Sequence, residues 1–96
     1  MTQQVVVYYQ EQPNLNTEKV LQRMKKQFDR EDWILSGLYI DHIKEYDNLL
    51  EMITELGKVD MVYLYSKDNI EEDFYWNMLR QTAKIEKVSI NIYIDI

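Results

Sequence analysis

The sequence predicts an α/β fold, a three-layer sandwich with a mostly parallel four-stranded sheet in the order β-α-β-α-β-α-β. Apolar runs of strand length alternate with amphipathic stretches of helix length, and the connections between them are short. The runs at 5–9 and 61–65 are apolar on consecutive residues, which is typical of strands buried on both faces. Ninety-six residues are enough for one such domain, and we expect a single domain over 1–96.

The charge is unevenly distributed along the chain. The net charge is −6; residues 1–37 carry five basic and five acidic side chains, whereas residues 38–96 carry six basic and twelve acidic ones. An acidic surface repels phosphate, and with two glycines there is no Gly-rich phosphate loop, so direct nucleic-acid binding is disfavoured.

The lack of cysteine excludes disulfides and thiolate metal sites and fits a reducing compartment. No apolar run approaches the roughly 20 residues of a membrane span. We therefore expect a cytoplasmic protein with no membrane partner, no metal and no cofactor.

The first half of the chain predicts two strands and a helix. A strand at 5–9 leads to a helix at 17–30 with Thr17 as its N-cap. The inner face of this helix is apolar, comprising Val20, Leu21, Met24 and Phe28. The second strand is predicted at 33–40, and Ser36-Gly37 is a candidate irregularity within it.

The second half predicts two further helices, each followed by a strand. Asp47 is the expected cap of a short helix, and Gly57 is expected to end it in the left-handed conformation. A third helix is predicted at 70–85, after the strand at 61–65. Its predicted inner face is Ile70, Phe74, Tyr75, Met78, Thr82 and Ile85, with Leu79 at the margin.

Two features near the C-terminus are candidates for contact with a partner. Trp76 and Arg80 share a different face of the third helix, an aromatic and cationic pair common at protein interfaces, although a Trp tucked under a loop fits the pattern equally well. Residues 88–96 alternate apolar and polar side chains, as a strand at the sheet edge does. We expect either a homodimer through this edge strand or a plain final strand packed on the helices.

Several segments carry a resemblance to a known family. The strand at 61–65 followed by Lys67-Asp68-Asn69-Ile70 resembles the strand and Asp-Arg-Leu-Ser-Arg segment of the catalytic domain of serine recombinases, the resolvases and invertases. Element order and spacing are similar along nearly the whole chain. Further matching positions are Tyr8, Asp41, Leu49, Leu50 and Asp60.

The reactive positions of that family are replaced here. Gln10 occupies the position of a catalytic Arg, and Gln12 that of the nucleophilic Ser. Asp47, Asn69 and Glu72 occupy further Arg positions. The family uses Ser to attack a DNA phosphodiester and Arg to neutralise the phosphate, so the resemblance implies a domain with no catalytic residues. The family's Asp is kept as Asp68, for which we expect a structural role as the cap of the third helix.

These observations predict a catalytically inactive resolvase-like domain, a pseudoenzyme that acts as a protein-interaction or regulatory module. By comparison with the family we expect neither its long dimerisation helix nor its DNA-binding module, and the family implies a prophage or another mobile element as the source. The expected contact residues are Trp76, Arg80, Glu71, Glu72, Asp73, Ile92 and Ile94.

Two other functions remain open. The acidic half could imitate DNA and inhibit a nucleic-acid enzyme, although ordinary solubility explains the same charges. A small hydrolase would need an acid-base pair, and the candidates are His42, Asp41 and Asp68. The residues support this function least, because a lone His without a partner at a diagnostic spacing is usually structural or exposed.

Overall fold

A computed structural model of the chain describes residues 3–93 and confirms the α/β prediction. Its strands and helices alternate along the sequence. They are β1 (Gln4–Gln10), α1 (Thr17–Arg30), β2 (Ile34–Asp41), α2 (Asp47–Thr54), β3 (Met61–Leu64), α3 (Asp73–Glu86) and β4 (Ser89–Ile92). Short 3-10 turns at Leu56–Lys58 and Lys67–Asn69 precede and follow β3.

The four strands form one parallel sheet in the order β2-β1-β3-β4. The first strand is therefore central, as its continuous apolar run predicts, and β2 and β4 are the edges within the described chain. Successive side chains of β1 point to opposite faces, so each face has its own core. Val5, Val7 and Tyr9 pack with α1, whereas Val6 and Tyr8 pack with α2 and α3, which gives the predicted three layers.

The first helix packs as predicted but begins with a different cap. Val20 and Met24 are buried and Leu21 and Phe28 are partly buried. Asn16, rather than Thr17, is the N-cap, and its side-chain oxygen accepts a hydrogen bond from the Lys19 N–H at 3.0 Å. Thr17 already has helical conformation and donates instead to the Glu11 carboxylate at 3.1 Å.

Gly57 does not end α2 in the left-handed conformation, because it lies inside the 3-10 turn and no glycine in residues 3–93 has a positive φ. A Cβ atom at this position would lie 2.8 Å from the carboxylate of Glu86, whose exposed and flexible side chain can move away. The left-handed helix end belongs to Lys87, with φ 59°, after α3.

The inner face of α3 differs from the prediction. Leu79 and Ala83 are its buried residues, whereas Phe74 and Ile85 are 65% and 77% exposed. Successive helical residues are rotated by about 100°, so Phe74 and Ile85 lie on the side of α3 away from Leu79 and face solvent. Tyr75 and Trp76, in the same first turn as Phe74, pack against the core.

Candidate functional site

The carboxyl ends of the strands, where the recombinase-like site is expected, hold a buried polar network. Gln10 ends β1, Asp41 ends β2, and Asn69 lies in the 3-10 turn after β3. Their exposures are 1%, 3% and 2%, and among residues 3–93 they are the buried polar side chains. We call these three residues the carboxyl-end network.

Two amides of this network join β1 to the turn after β3. The Gln10 N–H donates to Asn69 Oδ1 at 2.6 Å, and Asn69 Nδ2 donates to the Gln10 carbonyl at 2.9 Å. The Gln10 side chain donates from Nε2 to the Glu45 carbonyl at 2.7 Å, in the loop before α2. Gln10 and Asn69 therefore satisfy backbone groups that no strand partner reaches.

Asp41 holds the start of α2 and the ring of Tyr8. Its Oδ1 accepts from the Asn48 N–H at 2.9 Å, and its Oδ2 accepts from the Leu49 N–H at 3.0 Å. Oδ2 also accepts from the Tyr8 hydroxyl at 2.8 Å. Burial, reinforced by the bond to Asp41 and its charge, raises the pKa of Tyr8 far above its usual range, so the phenol stays protonated. Asp41 thus provides the capping bonds that Asp47, now the first helical residue, was expected to provide.

The other four replaced or retained family positions also follow the carboxyl ends of strands, and none of them is buried. Gln12 is half-buried, and its Nε2 donates to the Gln10 carbonyl at 3.3 Å. Asp47, Asp68 and Glu72 are exposed. The expected capping role of Asp68 is wrong, since α3 begins at Asp73 with Glu72 at the cap position.

His42 and Glu11 form an exposed ion pair outside the carboxyl-end network. The hydrogen bond and charge of Glu11, with the charge of Glu45, raise the pKa of His42 above 6.5. Within residues 3–93 no group of three or more His, Asp or Glu side chains is arranged to hold a metal ion.

The expected contact residues are spread over two surfaces. Trp76 is half-buried and packs against the core on the α2 and α3 face, and with Glu71 and Asp73 it lines a concavity of about 250 Å³. Glu72 is exposed, and Arg80 lines a separate hollow between α3 and β4. Ile92 is 38% exposed on β4, and Ile94 lies outside the described residues.

A groove beside α1 was not predicted from the sequence. The first helix covers the middle of the sheet and leaves the same face of β2 open. The opening has a volume of about 330 Å³ and is almost entirely apolar. Its lining, which we call the β2 groove, is Val7, Leu21, Met24, Phe28, Leu35, Leu38 and Tyr63, with Lys25 and Asp29 at the rim.

A bulge in β2 places both leucines in this groove. Leu35 pairs with Val5 and Gly37 pairs with Val6, so Ser36 is an extra residue on the β2 side. Leu38 then pairs with Val7, which puts Leu35 and Leu38 on the α1 face although they are three residues apart. They are 54% and 49% exposed. The Ser36-Gly37 irregularity was predicted, but its effect on the neighbouring leucines was not.

No helix in residues 3–93 combines the length and apolar character needed to cross a bilayer. Comparison of the sequence with known protein families and with curated proteins finds no match. The resemblance to serine recombinases therefore stays a prediction, carried by the residues quoted above.

Proposed function

We propose that this chain is a cytoplasmic protein-interaction module without recombinase chemistry, and that its contact surface is the β2 groove together with the adjoining edge of β2. The observation that carries the proposal is a contrast between two regions of the fold. The carboxyl-end network is buried and hydrogen-bonded internally, whereas the β2 groove is open and apolar.

The exposed aliphatic side chains of β2 are the main support. Leu35 and Leu38, which line the groove, are 54% and 49% exposed, and Ile34, which is 44% exposed, lies on the other face of the same strand. Single exposed apolar residues are common in soluble proteins, but two exposed leucines in one apolar groove are typical of a binding surface. The apolar lining suits a protein partner better than a phosphate or another charged ligand.

The carboxyl-end network supports the absence of recombinase chemistry. Gln10 and Asn69 already use their side chains to satisfy backbone groups, and Asp41 caps α2. A phosphodiester at this end would meet no guanidinium group at the quoted family positions, and it would be repelled by the exposed Asp68 and Glu72.

The surface around Trp76 is a weaker candidate because the indole also packs against the core. Substitution of Trp76 would therefore change stability and surface together. The β2 groove can be tested more cleanly, since Leu38 is half-exposed and Ile85, which is 77% exposed on α3, provides a control of similar size.

Photo-crosslinking in the native cell tests the proposed function. A benzoylphenylalanine replaces Leu38 in one variant and Ile85 in the other, and adducts are identified by mass spectrometry. We expect a discrete protein adduct from position 38 and none of comparable yield from position 85. No adduct from position 38, or equal adducts from both positions, would contradict the proposal, as would cleavage of recombination-site DNA by the purified chain.

A further inference from the structure

The edge of β2 is long, and its only charged side chain is Asp41 at its end. It has eight residues, and within residues 3–93 its only strand partner is β1. No charged residue or proline occurs from Ile34 to Ile40. Edge strands usually carry lysine, proline or a cover that prevents pairing with another chain. β4, the other described edge, is shorter than β2, with four residues, and the charged Lys87 lies just before it.

Backbone groups on this edge are directed outward. Ile34 N–H donates to Gln3 in the chain leading into β1, and the Asp41 carbonyl accepts from Glu11 just after it. Because alternate residues bond to the same neighbour, Leu38 and Ile40 direct their N–H and C=O groups away from β1. The Ile40 carbonyl accepts from the Asn48 side chain at 2.7 Å, which marks one end of the open edge.

The charges favour contact through this part of the molecule. Two copies with a net charge of −6 repel each other, most strongly through residues 38–96, which hold the acidic excess. Residues 1–37, which supply α1 and the first half of β2, carry no net charge, although α1 itself has five basic and two acidic side chains. The rim of the groove has one charge of each sign, the Lys25–Asp29 ion pair at 2.8 Å.

We propose that the occupant of the β2 groove is a second copy of this chain, bound by antiparallel pairing of the two β2 edges about a two-fold axis. This inference rests on the proposed function. A strand that pairs with itself across a two-fold axis must run antiparallel, and residues opposite each other then share a face. Leu35 and Leu38 of both copies meet on the α1 side and close the two grooves.

The mass of the chain in solution is the first measurement. Sedimentation equilibrium should show a concentration-dependent species of twice 11.7 kDa. Leu38→Lys should weaken self-association by at least about tenfold, because a buried leucine would be replaced by a charge. Ile85→Lys, on α3 and so on the opposite side of the sheet from the β2 groove, should leave it unchanged. Circular dichroism checks that both variants are folded.

Crosslinking then identifies the edge that pairs. Since the chain has no cysteine, a single introduced thiol can crosslink only one copy to another. Ser36→Cys lies on β2 and Ser89→Cys on β4, and both serines are exposed. A flexible bismaleimide should link the Ser36→Cys copies in high yield and the Ser89→Cys copies poorly.

Three results would overturn the dimer. They are a monomer at every concentration, self-association that Leu38→Lys leaves intact, and efficient crosslinking through Ser89→Cys alone, which would indicate the C-terminal edge. The failure of the dimer is separable from failure of the proposed function. A position-38 photo-adduct with a different protein would retain the interaction module and exclude the second copy as its partner.

Discussion

At the scale of single residues, Asp41 shows how a position that resembles a recombinase site serves the fold. Its two carboxylate oxygens accept three hydrogen bonds, two from the first turn of α2 and one from Tyr8. The acid at the strand end was predictable from the sequence. Its partners were not, because they depend on how closely the start of α2 approaches the carboxyl end of β2.

Removing this carboxylate should destabilise the protein strongly. Asp41→Ala deprives the buried Tyr8 hydroxyl and the first turn of α2 of their acceptor, so we expect the free energy of unfolding to fall by about 3 kcal/mol. Asp41→Asn retains one oxygen and should lose less. Urea denaturation at pH 7 measures both. Asp47→Ala, at an exposed position in the same helix, should cost no more than about 1 kcal/mol, and an equal loss at Asp47 would contradict this account of Asp41.

The ion pair between His42 and Glu11 should be visible in a pH titration. The pKa of His42 lies above 6.5 in the folded state, so the stabilisation it provides is complete below pH 6.5 and is lost as the pH rises through the folded pKa. NMR titration of the imidazole should show the raised pKa, and Glu11→Gln should lower it. Glu18→Gln, on the exposed first turn of α1, is the control. A His42 pKa that Glu11→Gln leaves unchanged would argue against the pair.

At the scale of elements, the sequence predicted which segments are helices and strands better than how they begin, end and face the core. The unbroken apolar run of β1 indicated a central strand, and its burial on both faces confirms this. The apolar pattern of α3 did not indicate its buried face, because the apolar Phe74 and Ile85 lie on the side of the helix opposite Leu79 and Ala83. The left-handed residue after α3 is Lys87, and because it is not a glycine the sequence did not indicate this helix end.

The cap of α1 provides a direct comparison of two neighbouring residues. Asn16→Ala removes the acceptor for the Lys19 N–H and should reduce the free energy of unfolding by about 1 kcal/mol. Asn14→Ala, in the exposed loop, should change it by less than about 0.5 kcal/mol. Thermal or urea denaturation of these two variants and of Thr17→Ala ranks their losses in the free energy of unfolding. A greater loss for Thr17→Ala than for Asn16→Ala would contradict Asn16 as the N-cap and support Thr17, the residue expected from the sequence.

At the scale of the whole molecule, the sequence predicted the fold but not the β2 groove. The parallel sheet, its three layers and the central β1 follow from sequence periodicity. The β2 groove does not, since it depends on where α1 crosses the sheet and on a bulge that turns Leu35 and Leu38 to one side. The acidic excess belongs to residues 38–96, whereas the rim of the groove has one charge of each sign, Lys25 and Asp29.

Amide hydrogen exchange along the two edge strands tests the central claim most directly. NMR can follow the outward Leu38 amide of β2 and the amides of β4 at low and high protein concentration. We expect exchange at Leu38 to slow as the concentration rises, while exchange in β4 stays the same. Slower exchange in β4 with an unchanged Leu38 amide, or no dependence on concentration at either edge, would contradict the assignment of β2 as the surface through which copies of this chain meet.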